Sequence, residues 1–264
     1  MQDWIGGDRS LKLSSEPAQE VVKRGEVHVW CLEPPCEVDC PKVEPFVRYT
    51  TDSERERALR YHFPADCWAY LTAQALLRRT LGNQLGQDPT EIRFRRNPYG
   101  RPFLEDDNSG LFFSLTHSRS LVAVAIFREP AIGIDTEQVG RPVNAEELAQ
   151  SFFAATEVAH LRALPEGDRL LHFLLQWTVK ESFLKAVGMG MHLPIDTLAI
   201  IPRQGTLETD FRHNFPERLS GWGFWATAGM RGHHLAVTVR SEFPEVVIHV
   251  GWAPQFWLTD QSAS

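Results

Sequence analysis

Two short stretches of the sequence place carboxylates where the surrounding pattern calls for apolar residues. The first, GIDTEQ, carries Asp135 and Glu137, and the second, QWTVKESFLK, carries Glu181 and Lys185. If GIDTEQ is a strand, Asp135 and Glu137 share one face and stand roughly 6.5–7 Å apart along it. Such a pair can converge on Mg²⁺, which is typically held by one or two carboxylates with phosphate oxygens and waters. A solvated face, or a sheet edge protected by charge, explains the pair equally well.

The second stretch has the periodicity of a helix with an apolar face. At about 100° per residue this face is formed by Phe173, Leu174, Trp177, Leu184 and Val187. Glu181 falls inside the face, and burying it without a partner would cost several kcal/mol. Lys185 lies four residues further on, within reach of Glu181. The partner of Glu181 is therefore a bound cation, a lysine or both, and a purely structural Glu181–Lys185 pair stays open.

The elements that must position these residues alternate between strands and helices. GEVHVWCL is predicted to be a strand, and TTDSERERALRYHF to begin a helix capped by Asp52 or Ser53. A second helix, DCWAYLTAQALLRRTLG, is predicted to end at Gly82. EIRFRRNPYGRPFL, FFSLTHSRSLVAVAIF and AIGIDTE have the patterns of strands joined by turns. NAEELAQSFFAATEVAHLRAL and LLHFLLQWTVKESFLKAVG are predicted helices, the latter ending at Gly188.

The second half of the chain repeats the pattern of the first. GFWATAGMRGHHLAVTVRSEFP is similar to FFSLTHSRSLVAVAIFREP, and each predicts a hairpin after a helical region. We therefore expect an α+β fold with two similar α/β lobes in a pseudo-twofold arrangement. The predicted divisions are a loose polar N-terminal extension, an N-terminal lobe, a C-terminal lobe with the metal site, and a tail, over residues 1–24, 25–128, 129–250 and 251–264.

The overall composition narrows the class of protein. The 264 residues include 43% hydrophobic and 23% charged residues, which is ordinary for a globular protein. The net charge of −7 argues against nonspecific nucleic-acid binding. No run approaches the roughly 20 apolar residues of a membrane helix, and the N-terminus lacks a signal-peptide shape, so we expect a cytoplasmic protein. The cysteines have no common zinc-site spacing and are expected to be reduced: Cys31, Cys36, Cys40 and Cys67.

The two acidic stretches together resemble the signature of 4′-phosphopantetheinyl transferases of the surfactin-synthetase-activating, or group II, type. The family motifs have the forms G-(I/V)-D-x-E and W-(S/T)-x-K-E-x-x-x-K, and both are complete here in the expected order. NPYGRPFL, FFSLTHS, LAQSFFAATEVAHL and GMGMHLP are similar to further family segments. The resemblance spans about residues 25–240, and it implies two similar α+β lobes with the active site between them.

The resemblance implies a magnesium-dependent reaction. Phosphopantetheine would move from coenzyme A to a serine of an apo acyl or peptidyl carrier protein, with release of adenosine 3′,5′-bisphosphate, as in a holo-acyl-carrier-protein synthase. Asp135, Glu137 and Glu181 would hold Mg²⁺. Glu181 is also the best candidate for accepting the serine proton, directly or through a water, and whether it acts as ligand, base or both stays open. Lys185 would stabilise phosphate charge. Glu157 is a weaker candidate for the base, and an ordinary glutamate in a first helical turn is the favoured interpretation of it.

The resemblance also implies a set of coenzyme A-binding residues. They are Arg57, Arg96, Gly100, Arg101, Pro102, Ser114, Thr116, His117, Asp135 and Lys185. Arginine suits this role because its planar guanidinium donates two hydrogen bonds to one phosphate. The sequence departs from the family where Arg101 replaces a lysine, and where Ala69 stands at a position that is commonly arginine. The second departure puts one contact to the 3′-phosphate in doubt.

Two other functions share these residues. A catalytically silent module that only binds carrier proteins would not need the four charged residues, which argues against it. A metal-dependent hydrolase of coenzyme A would use the same metal site, because water and serine attack phosphorus in the same way. The internal repeat suggests a monomer that supplies both halves of the site. The sequence does not indicate whether the carrier serves fatty-acid, polyketide or peptide synthesis.

Overall fold

A computed structural model describes residues 2–19, 21–35, 48–212 and 220–253. The strands are β1 (Gln2–Gly7), β2 (Ser10–Leu13), β3 (Glu26–Leu32), β4 (Phe94–Arg96), β5 (Pro102–Leu104), β6 (Phe112–His117), β7 (Val122–Phe127), β8 (Ala131–Gln138), β9 (Leu198–Arg203), β10 (Thr206–Phe211), β11 (Trp222–Met230), β12 (His233–Arg240) and β13 (Glu245–Trp252). The helices are α1 (Asp52–Ala58), α2 (Pro64–Leu85), α3 (Ala145–Phe152), α4 (Ala155–Ala163) and α5 (Glu166–Val187). The mixed α+β composition confirms the predicted fold class.

The molecule has two main sheets, each covered on its outer face by one long helix. One sheet has the strand order β8-β12-β11-β1-β10-β9, the other has the order β2-β13-β3-β7-β6, and β4 and β5 form a separate hairpin. Apolar residues of the two sheets meet in one core cluster, with Val29 on β3, Ile134 on β8 and Val237 on β12 among its members. Helix α2 packs on the outside of the five-stranded sheet, and α5 on the outside of the six-stranded sheet. This arrangement gives the two similar halves that the repeat predicts.

The N-terminal residues are not the loose extension that their polar composition predicts. Strand β1 lies inside the six-stranded sheet, between β10 and β11, and β2 pairs with β13. Trp4 and Leu11 are buried in two different core clusters. Gly6 fits only because it has no side chain, since a Cβ there would lie 2.3 Å from the Leu207 carbonyl oxygen. Backbone pairing on both sides positions this strand, and an apolar pattern along its own sequence is therefore not required.

The two ends of the chain are exchanged between the halves. Strand β1 belongs to the sheet built mainly from the C-terminal half, and β13 pairs in parallel with β3 of the N-terminal half. The predicted boundary at residue 250 therefore cuts through β13, whose strand partners lie in the other lobe. Of the predicted tail, residues 254–264 lie outside the described residues.

The predicted end of α5 is confirmed, whereas the predicted start of α1 and the predicted end of α2 are not. Helix α5 ends before Gly188, which has φ +80° and caps the helix as predicted. Helix α1 is capped by Thr51 in a capping box with Glu54, and not by Asp52 or Ser53. Helix α2 continues through Gly82 to Gly86, where φ is +64°. Among the described residues, no helix is both long enough and apolar enough to cross a membrane.

Two of the four cysteines lie among the described residues. Cys31 and Cys67 are both buried, and Cys31 is a free thiol. Burial raises the pKa of Cys31 to about 12, so its thiol stays protonated. Cys36 and Cys40 lie outside the described residues.

Candidate active site

The predicted site residues line a cleft where β6, at the edge of one sheet, meets β8, at the edge of the other. The cleft has a volume of about 990 Å³. Helix α5 forms one wall, and the chain after β8 forms another. The charged and polar residues around it include Asp66, Thr116, His117, Arg119, Asp135, Glu137, Arg141, Glu181 and Lys185. The structure thus brings together Asp135, Glu137, Glu181 and Lys185, which are predicted to act together.

A single glycine lets α5 lie close enough to β8 to form this cleft. A Cβ on Gly133 would lie 1.8 Å from the Ser182 carbonyl oxygen, so any side chain there would push the helix away. Gly133, Asp135 and Glu137 share the face of β8 that is directed at α5. The Gly of the GIDTE motif is therefore a packing residue, a role that the sequence interpretation missed.

Asp135 is held by two donors from different elements. Lys185 Nζ on α5 donates to Asp135 Oδ1 at 2.7 Å, and Thr116 Oγ1 on β6 donates to the same oxygen at 3.0 Å. Lys185 also donates to the Ile134 carbonyl oxygen at 3.0 Å. The structural Glu181–Lys185 pair left open above is therefore not formed. Within the described part of the chain, Glu181 has no ion-pair or hydrogen-bond partner.

The cleft concentrates negative charge. Burial, followed by repulsion from Asp135, raises the pKa of Glu137 to about 7, although Arg141 lies 3.1 Å away in an ion pair. Burial and Asp135 also raise the pKa of Glu181, and Lys185 only partly opposes this. Carboxylates that repel one another in a partly desolvated site are stabilised by a cation. This donor set therefore fits a hard divalent ion.

The three carboxylates are not gathered as closely as a full set of direct ligands. In the described residues, their oxygens do not all lie within 4.8 Å of one another. Arg141 and Lys185 occupy two of them with ion pairs. Mg²⁺ usually keeps several waters and takes only one or two carboxylates directly, so this spacing remains compatible with it.

Two of the predicted coenzyme A-binding residues also support β8. The Ser114 hydroxyl is buried and accepts a hydrogen bond from the Ile134 backbone N–H at 3.1 Å. Thr116 is buried as well and donates to Asp135. Both hydroxyls thus join β6 to β8. His117 lies at the cleft, where desolvation and then Lys185 lower its pKa.

A second, smaller pocket opens beside the cleft. Its volume is about 250 Å³, and Leu115 and Lys185 line both cavities. Gly100 and Pro102 line this pocket as well, and Gly100 has φ +89°, which favours glycine. Its walls are mainly apolar, with Phe113 and Leu184 among them. The pocket therefore suits a flat, weakly polar group that is attached to a charged one.

The three predicted arginines differ in what they contact. Arg101 donates to the carbonyl oxygens of Ala186 at 2.8 Å and Ile132 at 3.0 Å, so its guanidinium joins the β4–β5 turn to the end of α5 and to β8. Arg101 also lines the smaller pocket, so its predicted contact with coenzyme A stays a prediction. Arg96 and Arg57 are exposed, and both act electrostatically on the Tyr70 hydroxyl. Arg57 also lies over the Tyr70 ring, 5.4 Å from its centroid.

Two further predictions concern neighbours of the site. Ala69 is buried with Cys67 and Trp68, so this turn of α2 contributes no phosphate contact. Glu157 is fully buried and pairs with Lys180 at 2.9 Å, while it also accepts from the Ile200 backbone N–H at 2.9 Å. It does not line the cleft, which excludes it as the base. Arg141, which sequence reasoning missed, lies four residues after Glu137, and that spacing was the available signal.

The fold and the cleft define a two-lobed α+β protein with an acidic cleft between its sheets, and comparison with known proteins identifies its family. Residues 131–238 match the model described as 4′-phosphopantetheinyl transferase superfamily, and residues 40–129 match 4′-phosphopantetheinyl transferase, N-terminal. The chain therefore belongs to the 4′-phosphopantetheinyl transferase superfamily and is an enzyme.

Several relatives support this assignment. The chain is 29% identical to 4′-phosphopantetheinyl transferase HetI of Nostoc sp., over 96% of this chain and 97% of that protein. It is 32% identical to 4′-phosphopantetheinyl transferase Sfp of Bacillus subtilis, over 60% and 68%. It is also 32% identical to 4′-phosphopantetheinyl transferase gsp of Aneurinibacillus migulanus, over 60% and 65%. The similarity to Sfp and gsp agrees with the predicted group II type.

Proposed function

We propose that this protein transfers 4′-phosphopantetheine from coenzyme A to a serine of an apo acyl or peptidyl carrier protein in a magnesium-dependent reaction. The observation that carries the proposal is the set of three carboxylates beside Lys185 in a cleft that continues into an apolar pocket. The product released would be adenosine 3′,5′-bisphosphate. The site residues come from both halves of one chain, which favours a monomer.

Asp135, Glu137 and Glu181 would hold Mg²⁺, which when bound neutralises charge on the pyrophosphate oxygens. The chain's own residues do the remaining work. Lys185 and Thr116 keep the Asp135 carboxylate in a defined orientation through two hydrogen bonds. The same Lys185 ammonium supplies positive charge at the junction of the cleft and the apolar pocket, where phosphate charge would develop.

Glu181 is the proposed proton acceptor. Burial and Asp135 raise its pKa, which makes its carboxylate a stronger base, and it has no partner among the described residues. The serine oxygen forms a bond to the phosphorus that carries the pantetheine arm. The bridging P–O bond breaks, its electron pair stays on the departing nucleotide, and the serine proton passes to Glu181.

The apolar pocket beside the cleft is the proposed site for the adenine of coenzyme A. Gly100 and Pro102 line it, and Arg96 lies on the same turn. The exposed side chains of Arg57 and Arg96 would then bind the 3′-phosphate, because guanidinium groups donate paired hydrogen bonds to phosphate. Arg101 positions this turn against α5 and also lines the proposed adenine pocket.

The test is the mass of an apo carrier protein after incubation with this enzyme, coenzyme A and Mg²⁺. We expect a gain of one phosphopantetheine on one serine for at least one member of a panel of acyl and peptidyl carriers. Consumption of coenzyme A without any mass gain would identify a hydrolase. Carrier binding with neither product would identify a silent binding module.

A further inference from the structure

A second group of potential metal ligands lies on the five-stranded sheet, away from the cleft. It consists of Glu26 and His28 on β3 and of His249 on β13. One ligand atom from each residue lies within 4.8 Å of the other two, and this is the only such group in the described residues. Strands β3 and β13 are parallel neighbours, and His249 stands directly opposite His28. Glu26 falls on the same face because it is two residues from His28.

Both imidazoles are oriented by the chain segment that precedes β3. His249 Nδ1 lies 3.2 Å from the Glu16 carbonyl oxygen, and His28 Nδ1 lies 3.1 Å from the Gln19 carbonyl oxygen. An Nδ1–H that donates to a backbone carbonyl leaves Nε2 with a free lone pair. Histidines that bind metals usually have this second hydrogen bond, which fixes their tautomer and orientation.

One polar atom of the group has no hydrogen-bond partner among the described residues. Only 7% of His249 is exposed. Its Nε2 is buried and has no hydrogen-bond partner among the described residues. His28 Nε2 lies 3.1 Å from Glu26 Oε2. If His28 Nε2 carried the proton, it would donate to Glu26 Oε2, and His28 Nδ1 would accept from the Gln19 N–H. The Nε2 atom of His249 would still have no hydrogen-bond partner among the described residues. A cation between the three residues satisfies both imidazoles and the carboxylate.

We propose that Glu26, His28 and His249 form a site for a zinc-type divalent transition-metal ion. Two imidazole nitrogens and one carboxylate oxygen are a common zinc ligand set, with a fourth position for water. Imidazole suits Zn²⁺, whereas Mg²⁺ prefers oxygen ligands, so the site differs in metal preference from the catalytic cleft. Tetrahedral ligands at about 2.0–2.1 Å from zinc lie about 3.4 Å apart, close to the observed His28–Glu26 separation.

The site would be structural. Its histidines lie beneath the segment that contains Glu16 and Gln19, and Ala18 of that segment packs on Gly251 of β13. A metal ion here would join β3 and β13 and would fix the orientation of the rings on which the segment rests.

The test uses the full chain, freed of metals with EDTA and then held in excess Mg²⁺ to fill the catalytic cleft. Titration calorimetry with ZnCl₂ should show one ion bound per chain, and Zn²⁺ should raise the Tm. Co²⁺ in place of Zn²⁺ should give the intense visible absorption of a tetrahedral complex. Absence of Zn²⁺ binding to the wild-type chain in Mg²⁺ would overturn the proposal.

Two variants locate the ligands. His249→Gln and Glu26→Gln should each weaken Zn²⁺ binding by at least about tenfold and remove the Co²⁺ absorption. His62→Gln, which alters an exposed histidine outside the group, should bind as the wild type does. Wild-type affinity in both ligand variants would contradict the site. Glu26 is only partly buried, so Glu26→Gln remains informative if His249→Gln does not fold. No readout depends on transferase activity, so this proposal and the proposed function can fail separately.

Discussion

Lys185 Nζ lies 2.7 Å from Asp135 Oδ1, so this lysine pairs across the contact between α5 and β8 and not with Glu181 on its own helix. The pairing has two consequences for the cleft. Asp135 is anchored by a charge-assisted hydrogen bond. Glu181 keeps a raised pKa and no partner among the described residues, as a proton acceptor requires.

Glu181 and Glu157 should respond in opposite ways to the same substitution. We expect Glu181→Gln to lower kcat by about 10²–10⁴-fold, because it removes the proton acceptor and a carboxylate of the proposed metal site. Its free energy of unfolding should stay near that of the wild type. Glu157→Gln should lower the free energy of unfolding by about 3–5 kcal/mol, because it leaves Lys180 buried without its ion-pair partner. Urea unfolding and steady-state kinetics of both variants check this, and wild-type kcat in Glu181→Gln would exclude the base.

Lys185→Gln should reduce the rate while the protein remains folded. The amide removes positive charge at the junction of the two cavities, and losses of such charge stabilisation typically cost about 10²–10³-fold in kcat. Lys12→Gln, at an exposed lysine on β2, is the matched control and should leave kcat unchanged. Equal kcat values for the wild type and Lys185→Gln at saturating coenzyme A would contradict the proposed role.

Substitution of Arg101 should lower the stability of the protein, whereas substitution of Arg96 should weaken the binding of coenzyme A. Arg101→Ala should lower the free energy of unfolding by about 2–4 kcal/mol, since hydrogen bonds of charged groups contribute about 1.5–3 kcal/mol each. Arg96→Ala should change it by less than about 0.5 kcal/mol, because this exposed side chain donates only to Gly100 of its own turn. Arg96→Ala should instead raise the KM for coenzyme A. An unchanged KM would remove Arg96 from the proposed phosphate patch.

The stability of the metal-free enzyme should depend on Glu137. Its pKa rises from 4.5 to about 7 on folding, so the folded state binds more protons between these values. Stability from this group is therefore fully present below about pH 4.5 and is lost as the pH rises through about 7. The loss is of order 3 kcal/mol at 1.36 kcal/mol per pH unit. Tm measured against pH in EDTA should fall less steeply for Glu137→Gln than for the wild type, and identical slopes would contradict the assignment.

The first strand should be essential for folding. Trp4→Ala should lower the free energy of unfolding by about 3–5 kcal/mol, because Trp4 is buried in the core beneath α5. Val21→Ala should have little effect, because Val21 is 63% exposed. Chemical denaturation of the two variants makes the comparison. Equal stability would show that the N-terminal residues are indeed the loose extension their composition predicts.

Local sequence patterns correctly predicted the secondary-structure elements around the site. Alternation along GIDTEQ correctly placed Asp135 and Glu137 on one face, and the glycine after the helical period of α5 correctly marked its end. The same reasoning failed for β1, because a strand with partners on both sides needs no apolar alternation of its own. It also failed for Gly82, which lies inside α2 against the Gln87 carbonyl oxygen. Periodicity reports which face is buried, and it does not report what lies against that face.

The sequence by itself determined the chemical groups and their family. The two motifs identify Asp135, Glu137, Glu181 and Lys185, and the spacing of residues along a strand or helix is a property of the backbone alone. Only the tertiary structure decided the partners of those groups. Lys185 could reach Glu181 within its helix, but the absence of a side chain on Gly133 brings Asp135 nearer. Three features depend on distances between residues that are far apart in the chain: the ion pairs, the exchange of the end strands, and the hydrogen bonds of Arg101 to backbone carbonyl oxygens. Packing sets these distances, and local sequence does not encode them.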